Sequence, residues 1–237
     1  MSSFSDPSAV ATLLTVGTPY AFFFALAGAA RFTCIAGLVD RPLCLALLTS
    51  WCTGDWALAL PLGIIFELLW LDTLELGGVV PPYGGLSFLL AFPLCRHFGL
   101  TQAGAALLPL FLSMLAAYAA TWLELRQRAA QNILAPSLES WCAGGRGISP
   151  ARAVLGAALR RAIWQWGFYA LWFCTLYLIL AVLTAGGHWP RLSLVTWPVL
   201  YAAALLGAVL SLRTRQAYLV LMASLGGLAL LFFWRGA

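Results

Sequence analysis

The sequence predicts an all-α, polytopic integral membrane protein in which full transmembrane helices are combined with shorter, re-entrant hairpin segments. Hydrophobic residues make up 62% of the chain and charged residues only 9%, whereas an average soluble domain has about 25% charged residues. Five apolar runs, at 8–30, 103–123, 163–185, 194–212 and 217–234, approach or exceed the roughly 20 helical residues that cross a hydrocarbon core of about 30 Å. Two other apolar runs before residue 100 are too short to cross and are separated by Gly and Pro. Residues 1–237 therefore form a single membrane domain.

The run 8–30 contains Ala25-Leu26-Ala27, which is similar to a small-residue cleavage site. The preceding MSSFSDP has an Asp and no basic residue, while a secretory signal begins with a positive segment. The run is read as a retained first span.

Residues 43–100 form the substrate-site region. The runs 43–53 and 86–95 would each cover about 15–17 Å as a helix, half of the hydrocarbon thickness. Between them lies GGVVPPYGG, where two prolines lack donors and the glycines add conformational freedom. Irregular backbone at membrane depth survives only where protein or a water-filled cavity covers it, and short interrupted segments of this kind mark transport sites.

The stretch 54–82, GDWALALPLGIIFELLWLDTLELGGVVPP, carries Asp55, Glu67, Asp72 and Glu75, four of the eight acidic residues. An ionised carboxylate in hydrocarbon costs about 2.5–3.5 kcal/mol even on the lenient insertion scale, so such groups face a cavity or a partner. On a helix over 56–76, Glu67, Glu75 and Asp72 fall at about 0°, 80° and 140°, on one face. Asp55 directly precedes this helix and reads as its N-cap. Glu67 has three apolar residues on each side and no Arg within helical reach, which marks it as a ligand group. Carboxylates beside free backbone amides suit a polyhydroxyl ligand whose apolar faces Trp70 or Tyr83 could cover. A cation pathway would use the same acids, and the residues leave sugar and cation both open.

The segment 124–161 carries Arg126, Arg128, Arg146, Arg152, Arg160 and Arg161 and is cytoplasmic by the positive-inside rule. Its middle is a Gly- and Pro-punctuated loop and its end, 150–161, an interfacial helix; it is either a solvated linker or a docking surface. Residues 163–185 then run outward, GGHWPR turns outside, 194–212 returns to Arg213 and Arg215, and the last run leaves again.

All the basic side chains apart from His97 and His188 are arginines, which excludes a P-loop or Schiff-base lysine. Six scattered cysteines without a CxxC pair read as small buried hydrophobes. With two histidines and no Cys/His cluster, no metal site or cofactor is expected. No hydrolase motif is present, so no catalytic residue is assigned, and no nucleic-acid partner is expected.

The run GDWALALPLGIIFELLWL followed by LGGVVPP resembles the signature of the IIC membrane subunit of mannose/fructose/sorbose-type sugar phosphotransferase systems. In that family a Gly-Asp motif leads into a helix with Leu-Glu-Leu, then a glycine pair and proline. Upstream, ARFTCIAGLVDRPL is similar to a family segment ending in Arg-Pro, here Arg41-Pro42; downstream, RQRAAQNILAPSLESWCAGGRGIS is similar to its cytoplasmic loop, with Asn132 near the start. The resemblance implies a subunit of a bacterial inner membrane that binds a sugar and carries it across for phosphorylation by a cytoplasmic IIB (IIAB) phosphohistidine protein. It also implies pairing with a IID membrane subunit, assembly as a trimer of IIC–IID pairs, and an elevator-like movement. The sugar-binding residues are then Glu67, Asp72, Glu75, Gly77, Gly78, Pro81, Pro82 and Tyr83. Asp72, Glu75 and Tyr83 depart from the family's usual residues, which implies an altered sugar specificity or, alternatively, a transport-degenerate regulatory or structural subunit. A cation-coupled secondary transporter is the reading from a different class.

Overall fold

The computed structural model describes residues 7–29, 41–70, 80, 82–132, 135–144, 149–187, 195–211, 220 and 222–223. Among them all regular structure is helical: α1 (Pro7–Ala29), α2 (Pro42–Thr53), α3 (Trp56–Leu69), α4 (Gly84–His97), α5 (Ala103–Gln131), α6 (Ala135–Gly144), α7 (Pro150–Ala185) and α8 (Trp197–Ser211). Of the described helices, α5 and α7 are long and apolar enough to cross a membrane.

The tightest structural unit is the hairpin of α2 and α3. Pro42 starts α2, where its missing N–H is no loss. Gly54 ends the helix at φ 72°, returning its N–H to Ser50 O, the left-handed closure that glycine adopts without a Cβ penalty. Asp55 then takes the N-cap of α3, its Oδ1 accepting the Leu58 N–H at 3.3 Å. Gly63 lies against Ala46, and Glu67 against Leu43. Both pairs are symmetric about the Gly54–Asp55 turn, as an antiparallel hairpin requires. At about 18 and 21 Å, neither arm has the length of a bilayer core.

Helix α4 is central, packing against α1, α2, α3, α5 and α7. Every residue from Gly85 to Cys95 is buried, the pattern of a helix apolar on all sides. Such burial requires each backbone carbonyl to find a donor. Pro93 has no N–H to give Leu89 O, the acceptor four residues back. The hydroxyl of Tyr169, fully buried on α7, donates to that oxygen at 2.9 Å. Tyr169→Phe is therefore expected to lower stability by about 1–3 kcal/mol, the cost of a buried acceptor left unmade, read as thermal unfolding in detergent. Leu176→Met on the same buried stripe is the volume-conserving control; a Tyr169→Phe protein as stable as that control would show that Leu89 O finds another donor.

Three expectations are corrected here. The helix expected over 56–76 ends at Leu69, with Trp70 at φ −119°, ψ 25°. Trp70 stacks on Phe66 at 5.8 Å and abuts Gly84, so a tertiary contact stops α3 where the sequence has no breaker. Asp72 and Glu75, expected to share a helical face with Glu67, lie outside the described residues. Second, the interfacial helix at 150–161 and the span at 163–185 are one continuous helix, α7. Third, much of the segment read as a cytoplasmic loop, 124–161, is helical: the end of α5, the largely exposed α6 and the start of α7.

Helix α7 buries Arg161, Gln165, Tyr169, Phe173, Leu176 and Leu180 at spacings of three and four, a single stripe that turns polar at one end. Its other faces are apolar and exposed, including Leu155, Leu159, Ile163, Leu171 and Val182.

Candidate functional site

Three helix ends converge around Glu67. They are the start of α2 at Arg41–Leu43, the end of α3 at Glu67–Trp70, and the start of α4 at Tyr83–Gly84. Glu67 Oε1 pairs with Arg41 Nη1 at 3.2 Å, and Oε2 accepts the Leu43 N–H at 3.2 Å. The carboxylate thus meets one of the donors that a helix start leaves unpaired, on the side where the helix dipole favours negative charge. A β-carbon on Gly84 would lie 3.0 Å from both Pro42 Cγ and Trp70 Cε3, so the start of α4 fits closely into the same junction. Pro82 O accepts the Gly84 N–H at 2.9 Å.

No arginine lies within helical reach of Glu67 on α3 itself, but Arg41 reaches it from 26 residues earlier. A carboxylate offers about four acceptor positions, and these two bonds use two. Tyr83, expected to cover a ligand, is 5% exposed and meets Phe24 edge-on at 5.5 Å. Trp70 is 7% exposed. Both aromatics are core residues of the junction rather than open platforms. Asp72, Glu75, Gly77, Gly78 and Pro81 lie outside the described residues. Of the expected site residues that are described, Glu67 meets Arg41 and Leu43, Pro82 accepts from Gly84, and Tyr83 packs on Phe24.

Two further polar loci were not read from the sequence. Helices α1, α2 and α4 line an open cavity of about 800 Å³ whose polar lining includes Tyr20, Thr49, Thr53, Arg96 and His97. Tyr20 and Arg96 face it from α1 and α4, and His97 Nε2 lies 3.4 Å from Tyr177 Oη. The only local signal was the pair of basic residues in the last turn of α4, a favourable place for cations in any helix. The second locus joins α5 to α7. Glu124 and Arg161, 4% and 5% exposed, form a buried ion pair, and Arg128 Nε reaches Glu124 Oε1 at 3.0 Å. Nothing in the spacing of residues 37 apart identifies that partner.

Among the described residues no three His, Cys, Asp or Glu side chains gather at one place. No protein family, curated protein or solved structure compared with the chain matches it.

Proposed function

We propose that this chain is a membrane-embedded translocation subunit that binds a sugar at the junction of α2, α3 and α4, in the manner of a mannose-type phosphotransferase IIC subunit. The observation that carries the reading is the meeting of two helix starts and one carboxylate at the ends of half-length helices. Discontinuous helices with their termini aimed at one locus are how transporters present backbone donors and acceptors to a substrate inside a bilayer. The resemblance around Arg41-Pro42 and Glu67 supports a sugar as that substrate. The exposed apolar faces of α7 support a lipid or membrane-subunit environment, since a soluble chain rarely leaves such a surface bare. In this reading the inner membrane is crossed several times, the arginine-rich ends of α5 and α7 face the cytoplasm, and a IID subunit and a IIB protein complete the system. The chain supplies orientation and a dry site; the phosphoryl group comes from IIB.

The test is uptake in vesicles holding this chain with its IID and IIB partners. Sugar phosphate should accumulate only with phosphoenolpyruvate. Uptake driven by an ion gradient without phosphoenolpyruvate would replace this reading with a cation-coupled one. Within the same assay, Glu67→Gln is expected to weaken sugar binding by roughly tenfold to a hundredfold, the equivalent of a charge-assisted hydrogen bond of about 1.5–3 kcal/mol. Its stability should fall by no more than about 1 kcal/mol, because Arg41 is nearly half exposed and the Gln carbonyl can still accept from Leu43. Arg41→Gln separates the two roles. If it weakens sugar binding as much as Glu67→Gln does, Glu67 acts only through its ion pair.

A further inference from the structure

Where α5 and α7 run on beyond their apolar spans, a cavity of about 310 Å³ opens between them, lined by residues that include Trp122, Arg126, Gln127, Arg160, Arg161 and Trp164. Its charge is one-sided. Arg126, Arg160 and Arg161 line it and Arg128 adjoins it, while among the described residues Glu124, engaged by Arg161 and Arg128, is the one acid in the cluster. Arg161 Nε and Gln127 Nε2 are buried donors without an acceptor, although Arg161 is only 5% exposed. A one-water gap of about 10 Å³ next to Gln127 and Gln165 would let a water link Gln127 Nε2 to the unpaired Gln165 Oε1. The guanidinium groups of Arg126 and Arg160 on the cavity wall are exposed, and an anionic oxygen is the partner that a guanidinium takes most strongly.

The rim narrows the chemistry. Trp122 and Trp164, 57% and 58% exposed, are on the cavity wall, and Arg126 lies over the Trp122 ring at 4.2 Å. Exposed indoles beside arginines are the combination found at the headgroup level of a bilayer, and basic pockets between spans on the cytoplasmic side take anionic headgroups. Next to the pocket on α7, Leu155, Leu159 and Ile163 are exposed and offer an apolar surface for acyl chains.

We infer that the α5–α7 pocket binds the phosphate of an anionic phospholipid. This rests on the membrane reading given above, but not on sugar transport. Occupancy would hold α5 and α7 together at the end where their contact is polar.

The probe is the purified full chain in zwitterionic detergent, with its membrane partner if that co-purifies. Thermal unfolding is followed on adding phosphatidylglycerol, phosphatidylcholine or inorganic phosphate. Phosphatidylglycerol should raise the unfolding temperature saturably, phosphatidylcholine should not, and millimolar phosphate should neither reproduce nor compete away the effect. Arg126→Gln/Arg160→Gln changes two exposed side chains, so the fold should persist. Its apparent lipid affinity should fall roughly tenfold to thirtyfold, about fivefold per arginine. An equal response to phosphatidylcholine, or a double variant with parental affinity, would overturn the site. Full reproduction by inorganic phosphate would overturn the lipid as its source. Fractionation keeps the underlying reading separate: recovery of the chain in the soluble fraction without detergent overturns the membrane reading, whereas a membrane-bound chain indifferent to phosphatidylglycerol overturns this site alone.

Discussion

Glu124→Ala is expected to destabilise the protein by about 3–5 kcal/mol, the range for breaking a buried ion pair by deleting one partner. The loss comes less from the attraction removed than from the charge left behind. Arg161 is 5% exposed, and without Glu124 its guanidinium would stay between α5 and α7 with no counter-ion. Arg128, itself partly exposed, would lose its carboxylate at 3.0 Å as well, but water can compensate that group. The sign of a double variant makes the argument specific. In Glu124→Leu/Arg161→Met both charges are gone, and the pair becomes an apolar contact of similar volume, which is often neutral or stabilising. Thermal unfolding of the three proteins in detergent should place the double variant well above Glu124→Ala and near the parent. If Glu124→Ala stays within about 1 kcal/mol of the parent, the pair behaves as a solvated surface bridge.

Gly63→Leu is expected to cost about 3 kcal/mol or more, at or beyond the upper end of overpacking effects. A β-carbon there would lie 2.3 Å from Ala46 Cβ and 3.2 Å from Pro42 O. The first contact is impossible without moving α2 away from α3, and the second involves backbone, which cannot rotate aside. Glu67 sits one turn further along α3 and holds the Leu43 N–H, so the same displacement should also weaken the sugar binding proposed for that junction. Gly63→Ala with and without Ala46→Gly is the graded test. Removing the Ala46 methyl should restore most of the stability lost in Gly63→Ala, whereas failure of that rescue would place the strain elsewhere in the hairpin.

Much of the helical plan was legible locally. Pro42 and Gly54 bound α2, Asp55 caps α3, and the two short helices lie where the apolar runs were too short to cross. These features depend on backbone sterics, missing donors and per-residue hydrophobicity, all of which act within a few residues. The division of α7 after Arg161 followed from hydropathy. Charge interrupts an apolar run, but arginine is a good helix former, and no proline lies between Ala151 and Ala185 to stop the helix.

What the sequence by itself determined was therefore the composition of an apolar helical chain, the turn that joins α2 to α3, and the presence of carboxylates that need partners. The tertiary structure alone decided who those partners are. Arg41 reaches Glu67 because α2 folds back on α3, and Arg161 reaches Glu124 because α7 returns along α5. Tyr169 reaches Leu89 O, left without a donor by Pro93, from 80 residues away. Each of these pairs joins separate helices, so no periodicity along one helix encodes it. It exists only once burial of α4 has chosen which faces meet, because a buried polar group then has to take its partner from whatever helix is packed against it.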